Sequence, residues 1–471
     1  MLPRLPKTNQ QLLSAQRWKT RVVFWSGAVA IGLASAGFAK AAAYVDDFFH
    51  KFIAHASWIP FAETPVPWLP VIVTPLGLVL VAWITNRYLR GAEGSGIPQA
   101  IAALQSRHEP HRGALLSFKI AFGKILMTLI GLLSGASIGR EGPTVHVGAA
   151  IMYSIGRFAH FPRHDVERGL ILAGSAAGIA AAFNTPLAGI LFAIEEMSKS
   201  FEEQTSGTLL VTVVIAGVMA LAVLGNYSYF GTTEVTMGQL YDWIAVPVAG
   251  VAGGALGGIL AQVLVAGNRR LRPLMIAHPL RIAAACGLVV AIAGILSGGS
   301  VFGTGYEEAK HIIGGGQSSY AYPFLKMVAT AASYLSGIPG GIFAPSLSAG
   351  AGLGNVLSPL LPGVAPTIVV LLAMVAFFSG VVRTPITAFV IVMEMTSNQT
   401  MLLPLMATSF IAFGVSRIIN PQPIYHALAE AFFWQPPQSE ESGQDKKSDA
   451  TSGGVDNLSG DTKSGDMDRK Q

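Results

Sequence analysis

Arg140 and Glu141 stand in the stretch Ser137-Ile138-Gly139-Arg140-Glu141-Gly142-Pro143-Thr144-Val145, between an apolar run from Phe122 to Ile138 and a weakly polar one from Val145 to Ile155. Charges so deep in apolar sequence are expensive in a bilayer, and an ionisable residue there marks a functional site by default. The glycines and the proline beside them break a helix. Gly142-Pro143 also suits the start of a new one, because proline is tolerated in a helix's first turn. A helix that starts at mid-membrane turns its free N–H groups and positive dipole end on whatever lies there, which is chemistry for an anion. The same residues also suit a loop between two spans with its charges at the water interface.

Two further stretches have this character. Gly91-Ala92-Glu93-Gly94-Ser95-Gly96-Ile97-Pro98 puts a serine among glycines ahead of a proline, and the apolar segment behind it, Ile97 to Leu104, is too short to span a bilayer. It reads as a second half-helix aimed at an anion, or as an ordinary N-cap serine. Ser336-Gly337-Ile338-Pro339-Gly340-Gly341-Ile342-Phe343-Ala344-Pro345 stands in the second half of the chain about where the Glu141 motif stands in the first. Gly/Pro-interrupted segments in corresponding positions point to an inverted-repeat transporter site. Glu195-Glu196 closes the apolar run after Pro186. The pair is either a helix end at the interface or a proton acceptor at the water boundary.

The elements that must hold these residues are membrane helices. The chain has 471 residues, 51% hydrophobic and 12% charged, with mean hydropathy +0.52. A soluble protein carries about twice that charged share. The net charge of +5 is scattered and gives no support to a nucleic-acid partner. The single cysteine, Cys286, excludes an intrachain disulfide and a cysteine-based metal site. Residues 1–21 hold Arg4, Lys7, Arg17, Lys19 and Arg21 and no acid. They read as a basic cytoplasmic segment, not as a secretory signal.

Spans are expected over Val22 to about Tyr44, Trp68 to Ile84, Phe118 to Ile138, Leu170 to Phe183 and Leu209 to Leu224. Asp46, Asp47, His50 and Lys51 mark a loop between the first two, and Arg157 to Arg168 a charged bend. Phe183-Asn184-Thr185-Pro186-Leu187-Ala188-Gly189 breaks another helix. Gly225 to Gln239 reads as a polar loop separating two halves, about 22–235 and 236–435. In the second half, Gly250, Gly254 and Gly258 form a close-packing face. Asn268-Arg269-Arg270-Leu271-Arg272 reads as a basic cytoplasmic loop, and Gly303 to Ser319 as polar and glycine-rich. Apolar runs follow at Ile282 to Leu296, Tyr322 to Tyr334, Pro366 to Val381, Ile386 to Met395 and Met401 to Ile418. Pro421-Gln422-Pro423-Ile424-Tyr425 opens a last amphipathic helix. Residues 436–471 are too polar to bury a core and are expected to be a disordered cytoplasmic tail.

Gly94-Ser95-Gly96-Ile97-Pro98, Gly139-Arg140-Glu141-Gly142-Pro143, Gly341-Ile342-Phe343-Ala344-Pro345 and the late Tyr425 resemble, in order and rough spacing, the signature set of the CLC family of chloride channels and chloride–proton antiporters. Phe183 to Gly189 and Glu195-Glu196 fit too, so the resemblance covers about residues 20–432. It implies an all-α polytopic membrane fold of two inverted halves with broken and half-spanning helices. It also implies a homodimer in which each subunit has its own pore, with contacts on about 187–225 and 386–418. Chloride would be held by the Ser95 and Tyr425 hydroxyls and the backbone N–H groups of Ile342 and Phe343, with Gly139 and Arg140 as further chloride-binding residues. Such a site stabilises an anion with dipoles and N–H donors rather than a full charge, so the ion can also leave. Glu141 matches the gating glutamate, which competes with chloride when ionised and carries a proton when it swings away. Glu196 matches the antiporters' intracellular proton-transfer glutamate, with Glu195 a second candidate acceptor.

The acid at Glu196 favours exchange over the alternative, a passive gated chloride channel. Ser95 favours chloride, because nitrate-preferring members carry proline there. The fluoride-exporting branch departs at the motifs around Ser95 and Glu141, which here look standard. The regulatory CBS pair of many relatives is missing after residue 435, so nucleotide binding by such domains is not expected. No cofactor and no metal are expected, and the setting is a bacterial inner membrane with both termini cytoplasmic. Two protease readings fail. Glu93 precedes Gly94-Ser95 where an intramembrane serine protease would need Gly-x-Ser-Gly. His108-Glu109-Pro110-His111 has the wrong spacing for two zinc ligands on one helix face and reads as a loop. His146 could tune proton uptake near Glu141 or simply pack.

Overall fold

A computed structural model describes residues 15–51, 68–158, 164–198, 203–225 and 228–433. Most of the basic N-terminal segment and the whole tail 436–471 lie outside the described residues. The first half comprises α1 (Ala15–Phe49), α2 (Leu69–Tyr88), α3 (Ile97–Gln105), α4 (Glu109–Leu115), α5 (Phe118–Leu133), α6 (Glu141–Phe158), α7 (His164–Phe183), α8 (Pro186–Phe192, continued by a π turn, Ala193–Ser198) and α9 (Glu203–Leu224). The second comprises α10 (Ala245–Ala277), α11 (Pro279–Leu296), α12 (Tyr306–Ile313), α13 (Tyr322–Leu335), α14 (Phe343–Leu357), α15 (Pro366–Val382), α16 (Pro385–Thr396), α17 (Leu402–Ile419) and α18 (Ile424–Ala429).

Six of the described helical stretches are long and apolar enough to cross a membrane. α3, α8, α12, α16 and α18 are much shorter, and each starts at a proline- or glycine-containing break. α6 and α14 lie at the centre and are buried along nearly their whole length. Glycine sets how closely they pack. A Cβ on Gly178 of α7 would stand 2.6 Å from the Thr144 carbonyl oxygen of α6, and a Cβ on Gly350 of α14 would stand 2.7 Å from Met374 Cα of α15. Small residues let backbones touch where lipid supplies no hydrophobic drive between helices.

The two halves repeat each other residue by residue. The interval from Gly139 to Gly341 also separates Lys124 from Lys326 and Gly148 from Gly350. Likewise Thr185-Pro186 and Thr384-Pro385 are as far apart as Glu195 and Glu394, and as Asn184 and Arg383, which both take a left-handed backbone at φ 58° and 62°. The repeats are inverted: Gly139 and Gly341 pair antiparallel, each N–H donating to the other's carbonyl at 2.7 Å.

Several expectations are corrected. The basic stretch Asn268–Arg272 is not a loop but runs on inside α10, whose charged end projects past the apolar part. Glu109–His111 open α4 rather than a loop. The first helix runs on through Asp46 and Asp47, since 35 helical residues span about 52 Å and exceed the bilayer core. Gly303–Ser319 contains α12. The loop between the halves is not a bare spacer. Its Tyr229 and Phe230 are buried, and Phe230 N–H donates to the Met395 carbonyl at 2.9 Å.

Candidate functional site

The three glycine-rich breaks are stitched together by their backbones. Gly94 N–H donates to the Ile338 carbonyl and Gly340 N–H to the Gly94 carbonyl, each at 3.1 Å. Gly139 and Gly341 add their reciprocal pair. Gly142 fits where a Cβ would lie 2.9 Å from Ser95 Cβ. Ser95, the Glu141 motif and the start of α14 therefore meet at one point, and only glycine lets them approach so closely.

At that point the polar groups are few. Ser95 is fully buried, and its Oγ accepts from Ile97 N–H at 3.3 Å. The Tyr425 hydroxyl is fully buried and makes no hydrogen bond among the described residues. Its ring stands 5.9 Å from that of Phe343, at the first turn of α14. N–H groups in that turn have no partner inside the helix. A buried orphan hydroxyl beside the first-turn N–H groups of a helix needs an acceptor to complete it. An anion supplies one.

Glu141 is fully buried at the start of α6. Its Oε1 accepts from the Tyr229 hydroxyl at 3.3 Å and lies 3.9 Å from Arg140 Nε. Its Oε2 rests where a Cβ on Gly139 would be, so alanine there would push the carboxylate away. A cavity of about 690 Å³, lined among others by Asp46, Arg140, Thr304 and Tyr306, lies against Tyr229. Glu196 is buried in the π turn after α8. The ring Nε2 of His426 lies 3.9 Å from Glu196 Oε1 and 3.2 Å from its backbone carbonyl.

Glu195 is placed differently from its neighbour. Its carboxylate accepts from the Ile386 and Thr387 N–H groups at 3.1 and 2.7 Å and from the Thr387 hydroxyl at 2.8 Å. It caps α16 rather than facing the site. His146 is buried with Nε2 2.9 Å from the Leu115 carbonyl, so it packs beside the Ser95 loop rather than reaching Glu141.

Sequence reading missed four residues here. Lys124 reaches the Gly94 carbonyl at 3.1 Å and holds the Ser95 loop from behind. Lys326 does the same for its own loop, reaching the Val301 and Gly303 carbonyls at 2.9 Å. A lysine in an otherwise apolar span was the available signal. Tyr229 and His426 carried none, because each is set by tertiary placement.

A sequence model described as voltage gated chloride channel matches residues 77–417. The chain belongs to that family. The H(+)/Cl(-) exchange transporter ClcA of Vibrio cholerae serotype O1 is 30% identical over 453 residues, covering 91% of this chain and 93% of that one. The protein of the same name from Cronobacter sakazakii is 28% identical over 89% and 91%. Among solved structures, a slow cyanobacterial Cl-/H+ antiporter matches with a TM-score of 0.76 at 26% identity, covering 88% of this chain and 97% of that one. A CLC-type fluoride/proton antiporter, at 22% identity and a TM-score of 0.73, shares the fold.

Proposed function

We propose that the protein exchanges chloride for protons across a membrane. Chloride is held by the Ser95 and Tyr425 hydroxyls and the N–H groups of Ile342 and Phe343, with Gly139 and Arg140 beside the path. Glu141 is the gate and a proton carrier, and Glu196 is the proton-transfer residue on the opposite side. The ionised Glu141 carboxylate is itself an anion, so it takes the anion's place at the meeting point of the breaks. Protonated, it loses that claim and leaves, and chloride follows. One side chain thus cannot admit chloride without having carried a proton.

The observation that carries the reading is the presence of two buried carboxylates, Glu141 and Glu196, that both act electrostatically on the buried Tyr425 hydroxyl, which makes no hydrogen bond among the described residues. A passive channel needs the first and has no use for the second. Exchange by the relatives named above supports the same choice. The protein works as a homodimer in a bacterial inner membrane with both termini cytoplasmic. The contact surface includes α9, α16 and α17, where Leu210, Val214, Ile386, Leu403 and Phe410 are exposed.

Liposomes containing the purified protein test this directly. A chloride gradient should drive protons uphill. A chloride current that leaves the proton distribution at equilibrium would make the protein a channel.

A further inference from the structure

We propose that His426 is the proton-relay side chain that connects water to Glu196. This rests on the assignment of proton transfer to Glu196. Tyr425 and His426 are neighbours on α18 and divide its faces: Tyr425 turns to Phe343 and the anion site, and His426 turns to the π turn. His426 is partly exposed, with 19% of its side chain accessible, whereas Glu196 retains 4%. The imidazole therefore stands between solvent and a buried carboxylate.

The hydrogen bond fixes which nitrogen carries the proton. The Glu196 carbonyl oxygen can only accept, so Nε2 donates at 3.2 Å and carries the proton of the neutral ring, which leaves Nδ1 as its basic nitrogen. A proton from water adds to Nδ1 and gives an imidazolium. The Nε2 proton then passes to Glu196 Oε1, 3.9 Å away, a gap one water or a small rotation closes. The ring is left neutral with its proton on Nδ1, and exchange with water restores the starting tautomer. Carboxylate and imidazole each change by one proton, so charge balances. Histidine suits the task because its ordinary titration lies near pH 6.5.

The ring's surroundings carry both signs of charge. Arg383, at the end of α15, interacts with both Glu196 and Arg417 of α17. Arg269 of α10 reaches Gln422, and His111 of α4 bonds the Phe432 carbonyl at 2.9 Å. On α18's own continuation, Glu430 lies one turn beyond His426, a spacing that brings side chains together. Glu196 Oε1 stands 3.9 Å from the ring, and Glu195 is occupied in capping α16.

The competing role is purely structural: His426 may be replaced by any donor that ties α18 to the Glu196 carbonyl. His426→Gln separates the two, because its amide keeps a donor near the Nε2 position but takes up no proton. In liposomes of the full chain, His426→Gln should lower chloride-driven proton pumping by roughly a hundredfold, the low end for a positioned proton-transfer group. Chloride affinity by calorimetry should not change. The dependence of the rate on pH on the Glu196 side should also change. His426→Ala should show the same loss and recover in added imidazole. Wild-type pumping and pH profile in His426→Gln would overturn the relay, as would His426→Ala that imidazole leaves unrestored. Glu196→Gln is run alongside. If it halts protons while both His426 variants pump normally, the relay alone fails. If it pumps, the Glu196 assignment fails and takes the relay with it.

Discussion

The two halves build the same backbone and spend it on different side chains. Gly94-Ser95-Gly96 and Gly303-Thr304-Gly305 are one structure twice. The flanking glycines share positive φ values, a buried lysine grips the first glycine's carbonyl, and the hydroxyl accepts from the N–H two residues on at 3.3 Å. In the first half Ser95 is buried at the meeting point of the breaks. In the second, Thr304 already donates to the Asp46 carboxylate at 3.3 Å, beside the cavity. Gly139-Arg140-Glu141 likewise answers Gly341-Ile342-Phe343: where the first half has a carboxylate, the second has a ring stacked on Phe183 at 6.1 Å. The shared part is architecture. The function lies where the repeats diverge.

The sharpest divergence is Glu141 against Phe343, and it predicts the largest effect. Glu141→Gln keeps size and shape but cannot ionise or titrate. Proton transport should fall to background while chloride flux persists and loses its pH dependence. Flux assays on the folded protein check this. If Glu141 merely paired with Arg140, breaking a buried pair would cost about 3–5 kcal/mol and the variant would be unstable instead. A stable Glu141→Gln protein that still exchanges the ions would erase the functional difference between the halves.

How much of this could be read from the chain divides along the same line. The breaks at Ser95, Glu141 and Phe343 were legible because glycine and proline in apolar sequence leave few options. The single helices at Glu109 and Tyr306 were not, because they are short and hydropathy averages over them. Helical periodicity through Arg269–Arg272 was masked by charge, which marks where a helix leaves the membrane and not where it stops. Tyr229 was unreadable in principle: a tyrosine in a polar loop reaches Glu141 only because that loop is bonded to Met395, far along the chain. Glu195 and Glu196 look alike in sequence, but as neighbours in the turn after α8 they point in different directions, which the sequence does not assign to particular partners.

Ser95 against Thr304 gives an intermediate effect. Ser95→Ala should weaken chloride binding by roughly tenfold, about 1.4 kcal/mol, at the upper end of the range for an ordinary hydrogen bond. Thr304→Ala should leave chloride affinity where it was, because that hydroxyl serves Asp46. Calorimetric titration of the two variants compares them directly. Equal losses would mean that the second loop also binds the transported anion, and the halves would be functionally symmetric.

Glu195 and Glu394 are the case where the repeats have not diverged, and they predict the smallest effect. Glu195 receives the first-turn N–H groups of α16, and Glu394 receives those of α8, from Leu187 and Ala188 at 3.1 and 2.8 Å. Each half thus clamps the other's broken helix with a carboxylate at its positive end. Glu195→Gln and Glu394→Gln remove the charge and keep an acceptor oxygen, so each should cost about 1 kcal/mol, as for a helix cap. The Glu195 loss should be slightly the larger, because Glu195 also accepts from the Thr387 hydroxyl and Glu394 has only the two N–H groups. Thermal unfolding in detergent measures that, and the number of chlorides moved per proton should stay at the wild-type value in both. A change in coupling confined to Glu195→Gln would place this side chain on the proton route beside Glu196. The symmetry of the clamp would then be architecture alone, with one of its two carboxylates recruited to transport.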